Sequence, residues 1–457
     1  MKYSSLKISN PDDLVFGFAP FQVKTKRGLN IGGGIVYPEV NFTLPPMEVS
    51  LKTLSEVREH YREIVEGVLE RAVQLNSKGL VLEFETLIEM TKTPEIAIEL
   101  IKTMNGICED YYQKHKLISE IRLTPNDLRE FDRPPRQRTS SYLDAMFEVF
   151  DRGAKEGGDM LSIESTGGKE ISDDALMMCD MKKFIFSQSV LGVRDMQFLW
   201  SKIVEIAQKN KVIAGGDTAC GFGNTAMVLA DRQYIPKTFA AIARIATVVR
   251  TLVAIEKGAT GPDKDCGYEG PFLKAITGTP ISMEGKTSAC AHLSPLGNVA
   301  AAAADLWSNE SVQNIKLLSG MAPVAYYEQL EYDTRLMNEA RIAGKKETLM
   351  LPKVLVDSDT RHEPQALILS PQNVIRISEK IVKGKNYIEG CIFGCLEGLK
   401  IINEAISSNF LKIDEKEFMW VDILQNDINE IPTDESKFVD MMLPFIQDKT
   451  IPKEYGL

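Results

Sequence analysis

Short apolar runs alternate with helix-like stretches along most of this chain, and that alternation restricts the folds open to it. Candidate strands fall at 79–85, 117–123, 160–164, 184–188, 211–215, 252–256, 281–284 and 315–319, with the clearest helical patterns at 94–114, 141–156, 195–209 and 236–249. Parallel strands need a crossover to return to the same sheet, so repeated strand–helix units imply a parallel α/β sheet. About eight units favour closure into a TIM (β/α)8 barrel over an open sheet, and 457 residues suit an elaborated one. Residues 1–70 read as a Gly-, Pro- and Asn-rich arm with a short hairpin, followed by a leading helix from Leu51. Residues 71–330 read as the barrel, and 331–457 as a helical C-terminal extension.

In such a barrel the loops after the strands converge on one rim, which makes neighbours of residues far apart in sequence. Glu164 closes one apolar run in S-I-E-S-T-G-G-K, and Cys220 follows another in A-G-G-D-T-A-C-G-F-G. Cys266 lies in the polar glycine loop G-P-D-K-D-C-G-Y-E-G. Two thiolates and one carboxylate on one rim give zinc three protein ligands and an open fourth position, the catalytic pattern. Each residue also has a plainer reading. Glu164 could pair with a barrel lysine, and Cys220 taken alone could be an inert buried thiol.

Other motifs count for less. The segment Gly221, Gly223, Ala226 resembles a dinucleotide fingerprint without its later acidic partner. The G-K-T after Glu284 lacks the upstream glycine of a phosphate loop, so no nucleotide cofactor is expected. Cys290 and His292 fall into the next helix and read as packing, as do Cys179, Cys391 and Cys395. Glu284, ending the seventh candidate strand, is a candidate proton-handling group.

A net charge of -11 argues against nucleic acid or an anionic membrane as the main partner. Seven cysteines without close pairing form no disulfide framework, so a reducing cytoplasm is the simplest setting. The N-terminus lacks a secretory apolar stretch, and no uninterrupted apolar run reaches roughly 18 residues.

The segments S-I-E-S-T-G-G-K-E, A-G-G-D-T-A-C, G-P-D-K-D-C-G-Y-E, A-I-T-G-T-P-I-S-M-E-G-K-T-S-A-C-A-H and W-S-N-E-S-V resemble the zinc-dependent methanol:corrinoid methyltransferases of methanogens and acetogens. The resemblance runs along nearly the whole chain. It implies a barrel holding one zinc per chain through Glu164, Cys220 and Cys266. It also implies methanol as substrate, a separate corrinoid-carrying protein as partner, and a 2:2 assembly around a homodimer. Late in the chain the family's acidic D-P-Q segment is replaced by H-E-P-Q, bringing in Glu363. Thiolate-rich ligation makes a milder Lewis acid, so a proton donor is expected nearby, with Glu284, Asp217 and Glu363 as candidates. The rival expectations are a zinc-dependent hydrolase on the same fold, or methyl transfer from another small methylated alcohol or ether.

Overall fold

The computed structural model describes residues 1–42, 44–265, 267–283, 321–357 and 359–457. The chain opens with an antiparallel hairpin, β1 (Phe18–Lys24) and β2 (Asn30–Gly33). A five-stranded parallel sheet follows in the order β3 (Glu39–Asn41), β4 (Leu80–Glu85), β5 (Ser119–Thr124), β6 (Met160–Ile163) and β7 (Ile213–Asp217). A parallel pair, β8 (Asp263–Asp265) and β9 (Ile281–Met283), continues it. The amides of Thr260 and Gly261 donate to the carbonyls of Ala214 and Gly215, tying the approach to β8 onto β7.

Alternation along the strands sorts the side chains into two faces. Leu80, Leu82 and Phe84 of β4, with Ile121, Leu123, Leu161 and Ile163, join the core formed with the flanking helices. The other face is concave. At its lower end the hairpin residue Leu29 packs on Val81 and Met160. Above them the buried Arg122 guanidinium reaches Glu39 on β3, Ser162 Oγ on β6 at 2.7 Å and the Pro262 carbonyl beside β8 at 2.9 Å. Ser282 of β9 bonds the same Glu39. Side chains of β3, β5, β6 and β9 meet on one side only if the sheet curls. Gly215 makes room for this layer, because a Cβ there would lie 2.7 Å from Ser162 Oγ and 3.0 Å from Arg122 Nη1.

Two expected strands are corrected. Residues 184–188 belong to a helical stretch, Met181–Phe186, that continues through a wide turn, Ser187–Gly192, into helix Val193–Asn210. Residues 252–256 belong to helix Lys237–Lys257. Residues 184–188 and 252–255 are all buried, so neither run carries the one-faced period that distinguishes helix from strand. Two strands the sequence did not disclose are β3, at the edge of the five-stranded sheet, and β8, paired with β9. The expected strand at 315–319 lies outside the described residues.

Helix Lys237–Lys257 is long and apolar enough to cross a membrane, with a mean hydropathy of 1.7 over its best window, yet that window is fully buried inside the protein. It is covered partly by helix Tyr387–Ser407, whose Cys391 and Cys395 thiols contact the carbonyls of Ala246 and Ile242. The helix is therefore an internal core element of this fold.

Candidate metal centre and its relatives

The segments following β6, β7 and β8 meet at the C-terminal ends of the strands. Parallel pairing sets Ile163 of β6 beside Asp217 of β7, so both chains leave the sheet side by side. Just beyond, the Ser165 amide donates to Asp217 Oδ1 at 3.1 Å. The Gly267 amide donates to Thr218 Oγ1 at 3.1 Å, and Glu269 Oε1 accepts from the Ala219 amide at 2.5 Å. Glu164, Cys220 and Cys266 are each next to one of these laced residues. Cys266 itself lies outside the described residues, as does Glu284. Among the described residues no trio of His, Cys, Asp and Glu is gathered to hold a metal ion.

Glu164 is about one-third exposed (31%), with Oε1 2.9 Å from Lys264 Nζ. The lysine pairing that the sequence offered as its plainer reading is thus present. Lys264 also lies 2.8 Å from Glu83 and 3.6 Å from Glu85, the two inward carboxylates of β4. Burial pushes the Glu85 carboxyl up, Lys264 opposes this, and the nearby Glu164 and Glu83 charges add to it. Glu83 is also desolvated, but Lys264 and Arg122 hold it below the ordinary carboxylate range.

Cys220 is half-buried at the start of a wide turn, Cys220–Asn224, and the Asn224 amide lies 3.7 Å from its sulfur. Unlike Cys391 and Cys395 it is not core packing. Wide helical turns of this kind occur often at functional sites. A partly exposed thiol and a carboxylate on adjacent segments are donor types that zinc takes, and a metal at Glu164 would compete with Lys264 for that carboxylate.

The other expected proton-handling groups sit differently. Asp217 is fully buried, accepting from Trp200 Nε1 at 2.7 Å and from the Thr218 amide at 2.8 Å as well as from Ser165. Its place is structural, joining the segments after β6 and β7. Burial raises its carboxyl to about 6, with Arg250 and the Trp200 bond opposing. Because the folded state binds this proton more tightly than the unfolded chain, ionisation costs stability. Stability should fall as pH rises from about 4 to about 6 and level above that. In Asp217→Asn this component of the slope should be missing from denaturant titrations at stepped pH; an unchanged slope contradicts the assignment.

Glu363 is also buried and caps helix Pro364–Ile368, 2.9 Å from Lys237 Nζ. Burial pushes its carboxyl up, with Lys237 offsetting part. It reaches the site only indirectly. Its neighbour Gln365 accepts from Arg244 Nη2 at 2.7 Å, and Arg244 bonds the carbonyl of Gly267, next to Cys266.

Sequence reasoning missed Lys264, Glu83, Glu85 and the buried arginines Arg244 and Arg250. A signal existed for the acids, since L-V-L-E-F-E sets two glutamates on one face of an otherwise apolar strand.

Against known proteins, residues 1–456 match the family model described as methanol-cobalamin methyltransferase B subunit. The chain is 34% identical over 462 residues to the methanol–corrinoid protein co-methyltransferase of Methanosarcina barkeri (strain Fusaro / DSM 804), covering 100% of this chain and 99% of that one. It superposes with a TM-score of 0.88 and 31% identity on a chain of the crystal structure of the methanol:cobalamin methyltransferase complex MtaBC from Methanosarcina barkeri, covering 100% and 99% of the two chains. With fold, rim loops and full-length similarity in agreement, the chain belongs to the methanol-cobalamin methyltransferase B subunit family.

Proposed function

We propose that this methyltransferase is the methanol-activating subunit of a two-protein system, carrying one zinc on Glu164, Cys220 and Cys266 at the rim of a (β/α)8 barrel. Its product is the methylated corrinoid of a separate cytoplasmic partner, in a 2:2 assembly around a homodimer of this chain. Family membership supplies the reaction, methyl transfer from methanol to a corrinoid protein. The observation that carries the ligand assignment is the lacing of the three segments through Ser165–Asp217, Gly267–Thr218 and Ala219–Glu269.

Zinc bound there supplies Lewis acidity to the methanol oxygen, worth several kcal/mol where negative charge develops. The reaction breaks the methanol C–O bond, and the cobalt electron pair forms the new bond to the methyl carbon. The departing oxygen takes up a proton and leaves as water. Lys264 Nζ balances Glu164 and Glu83, and the Glu85 carboxyl beside it is desolvated and only partly exposed. Lys264 and Glu85 are thus titratable groups beside the proposed ligand Glu164. Asp217 and Glu363 instead hold the scaffold.

The test mixes zinc-loaded protein with free cob(I)alamin and methanol and follows the methylcobalamin absorbance. Methanol-dependent formation of methylcobalamin is expected. Absence of product with methanol, but turnover of another methyl ether or alcohol, would reassign the substrate.

A further inference from the structure

Resting on the ligand assignment above, we infer that Arg250 and Arg244, two arginines on the wholly internal helix Lys237–Lys257, are positioning residues that clamp the three ligand-bearing segments into metal-binding register. Every residue of this helix from Thr238 to Ile255 is buried, and both arginines are fully enclosed. Arg250 Nη2 donates to Ser165 Oγ at 2.9 Å and to the Ser165 carbonyl at 3.2 Å, immediately after Glu164. Its guanidinium also lies 4.2 Å from the ring centroid of Phe222, two residues beyond Cys220. One side chain thereby grips the segments of two ligands.

Arg244 takes the third. It bonds the Gly267 carbonyl beside Cys266 and stands 5.2 Å from the centre of the Tyr268 ring. From the residue next to Arg250, Thr251 Oγ1 donates at 2.9 Å to Glu269 Oε1, the oxygen that also receives the Ala219 amide. The helix thus touches all three segments from behind.

Energetics support a role beyond packing. Nε and Nη1 of Arg250 have no hydrogen-bond partner among the described residues, although both are buried. A buried guanidinium left partly unpaired costs stability, and an apolar side chain of similar volume often stabilises such a position. Two thiolates and a carboxylate carry a formal charge of -3, which one divalent ion does not neutralise. Buried cations behind the segments favour the anionic ligands in a low-dielectric setting. A planar fork that bonds one loop and stacks on another is beyond lysine's geometry.

The experiment compares wild type with Arg250→Lys and Arg244→Lys, which keep the charge but lose fork and stack. Zinc affinity is read by competition with a chromogenic chelator, and ligand geometry from the thiolate-to-metal and d–d bands of the cobalt(II)-substituted proteins. Both variants should bind zinc about tenfold or more weakly, the usual cost of losing a group that orients a metal ligand. Their cobalt bands should shift while far-ultraviolet dichroism stays native. Wild-type affinity and unchanged bands in both lysine variants overturn the inference. Should Arg250→Lys fail to fold, Phe222→Leu removes the stack alone, with the same weakening expected and the same null result decisive. A wild-type protein whose bound cobalt shows no thiolate band would instead defeat the ligand assignment, and the reason for the clamp with it.

Discussion

Replacing Cys220 or Cys266 with alanine is expected to lower methanol-dependent methyl transfer by about a thousandfold or more, in step with lost zinc. The magnitude follows from the chemistry. Lewis-acid stabilisation of a developing oxyanion is worth several kcal/mol, and each 1.36 kcal/mol is about tenfold in rate. Losing about 4 kcal/mol therefore removes nearly three orders of magnitude. The fold should survive the Cys220 change, because this thiol is half-buried and, among the described residues, accepts a weak 3.7 Å hydrogen bond from the Asn224 amide. Cys391→Ala is the control. That thiol is buried against the Ala246 carbonyl of the internal helix, so its loss should cost stability without removing zinc. Full activity in a zinc-free Cys220 variant would reject the thiol's role.

The second large effect is expected at Lys264. This one ammonium stands between Glu83 and Glu164 and within 3.6 Å of Glu85. Lys264 and Glu83 are each 8% exposed, so solvent does little to replace the pairing. Removing one member of a buried ion pair leaves an uncompensated charge, typically at a cost of about 3–5 kcal/mol. Lys264→Met should therefore lower the stability of the metal-free protein by about that amount, measured by urea unfolding. Added zinc should recover part of the loss, because a divalent ion at Glu164 supplies positive charge to the same carboxylates. Glu83→Gln combined with Lys264→Met should be milder than Lys264→Met alone. Equal stability of Lys264→Met and wild type would show that the cluster is not charge-balanced as described.

The parts of the fold legible in the sequence were those whose side chains obey a simple period. Strands β4 and β5 set apolar residues at every second position, β6 is largely apolar, and helix Pro94–His115 carries a one-faced stripe. The failures share one physical cause. Helix Lys237–Lys257 is enclosed by helices both before and after it in the chain, so the run L-V-A-I shows no polar face and imitates a buried strand. Conversely, the three-residue strand β8 reads D-K-D and carries no apolar period, because Lys264 is buried against Glu83 and Glu164 rather than in a hydrophobic core. Neither environment exists until distant segments have packed.

The same division holds at the site. The placement of Glu164 and Cys220 just after β6 and β7 was legible because glycine-rich turns after apolar runs mark the ends of parallel strands. Lys264 stands in the same loop sequence as Cys266, but its inward direction depends on the curl of the sheet. Arg244 and Arg250 are visible in the sequence as charges within an apolar run. Their targets, Gly267, Ser165 and Phe222, are fixed only by tertiary structure. The contacts of Asp217 were hidden for a related reason. A carboxylate at a strand end reads as a candidate acid, and only tertiary packing brings Trp200 and the Ser165 amide onto its two oxygens.

The most direct measurement is zinc-edge X-ray absorption on the purified wild-type protein, with metal content determined on the same sample. One zinc per chain with two sulfur neighbours at about 2.3 Å and the remaining shell of oxygen is the predicted result. A sulfur count that stays at two in Cys220→Ala, or a closed shell of four protein donors in the wild type, would contradict it.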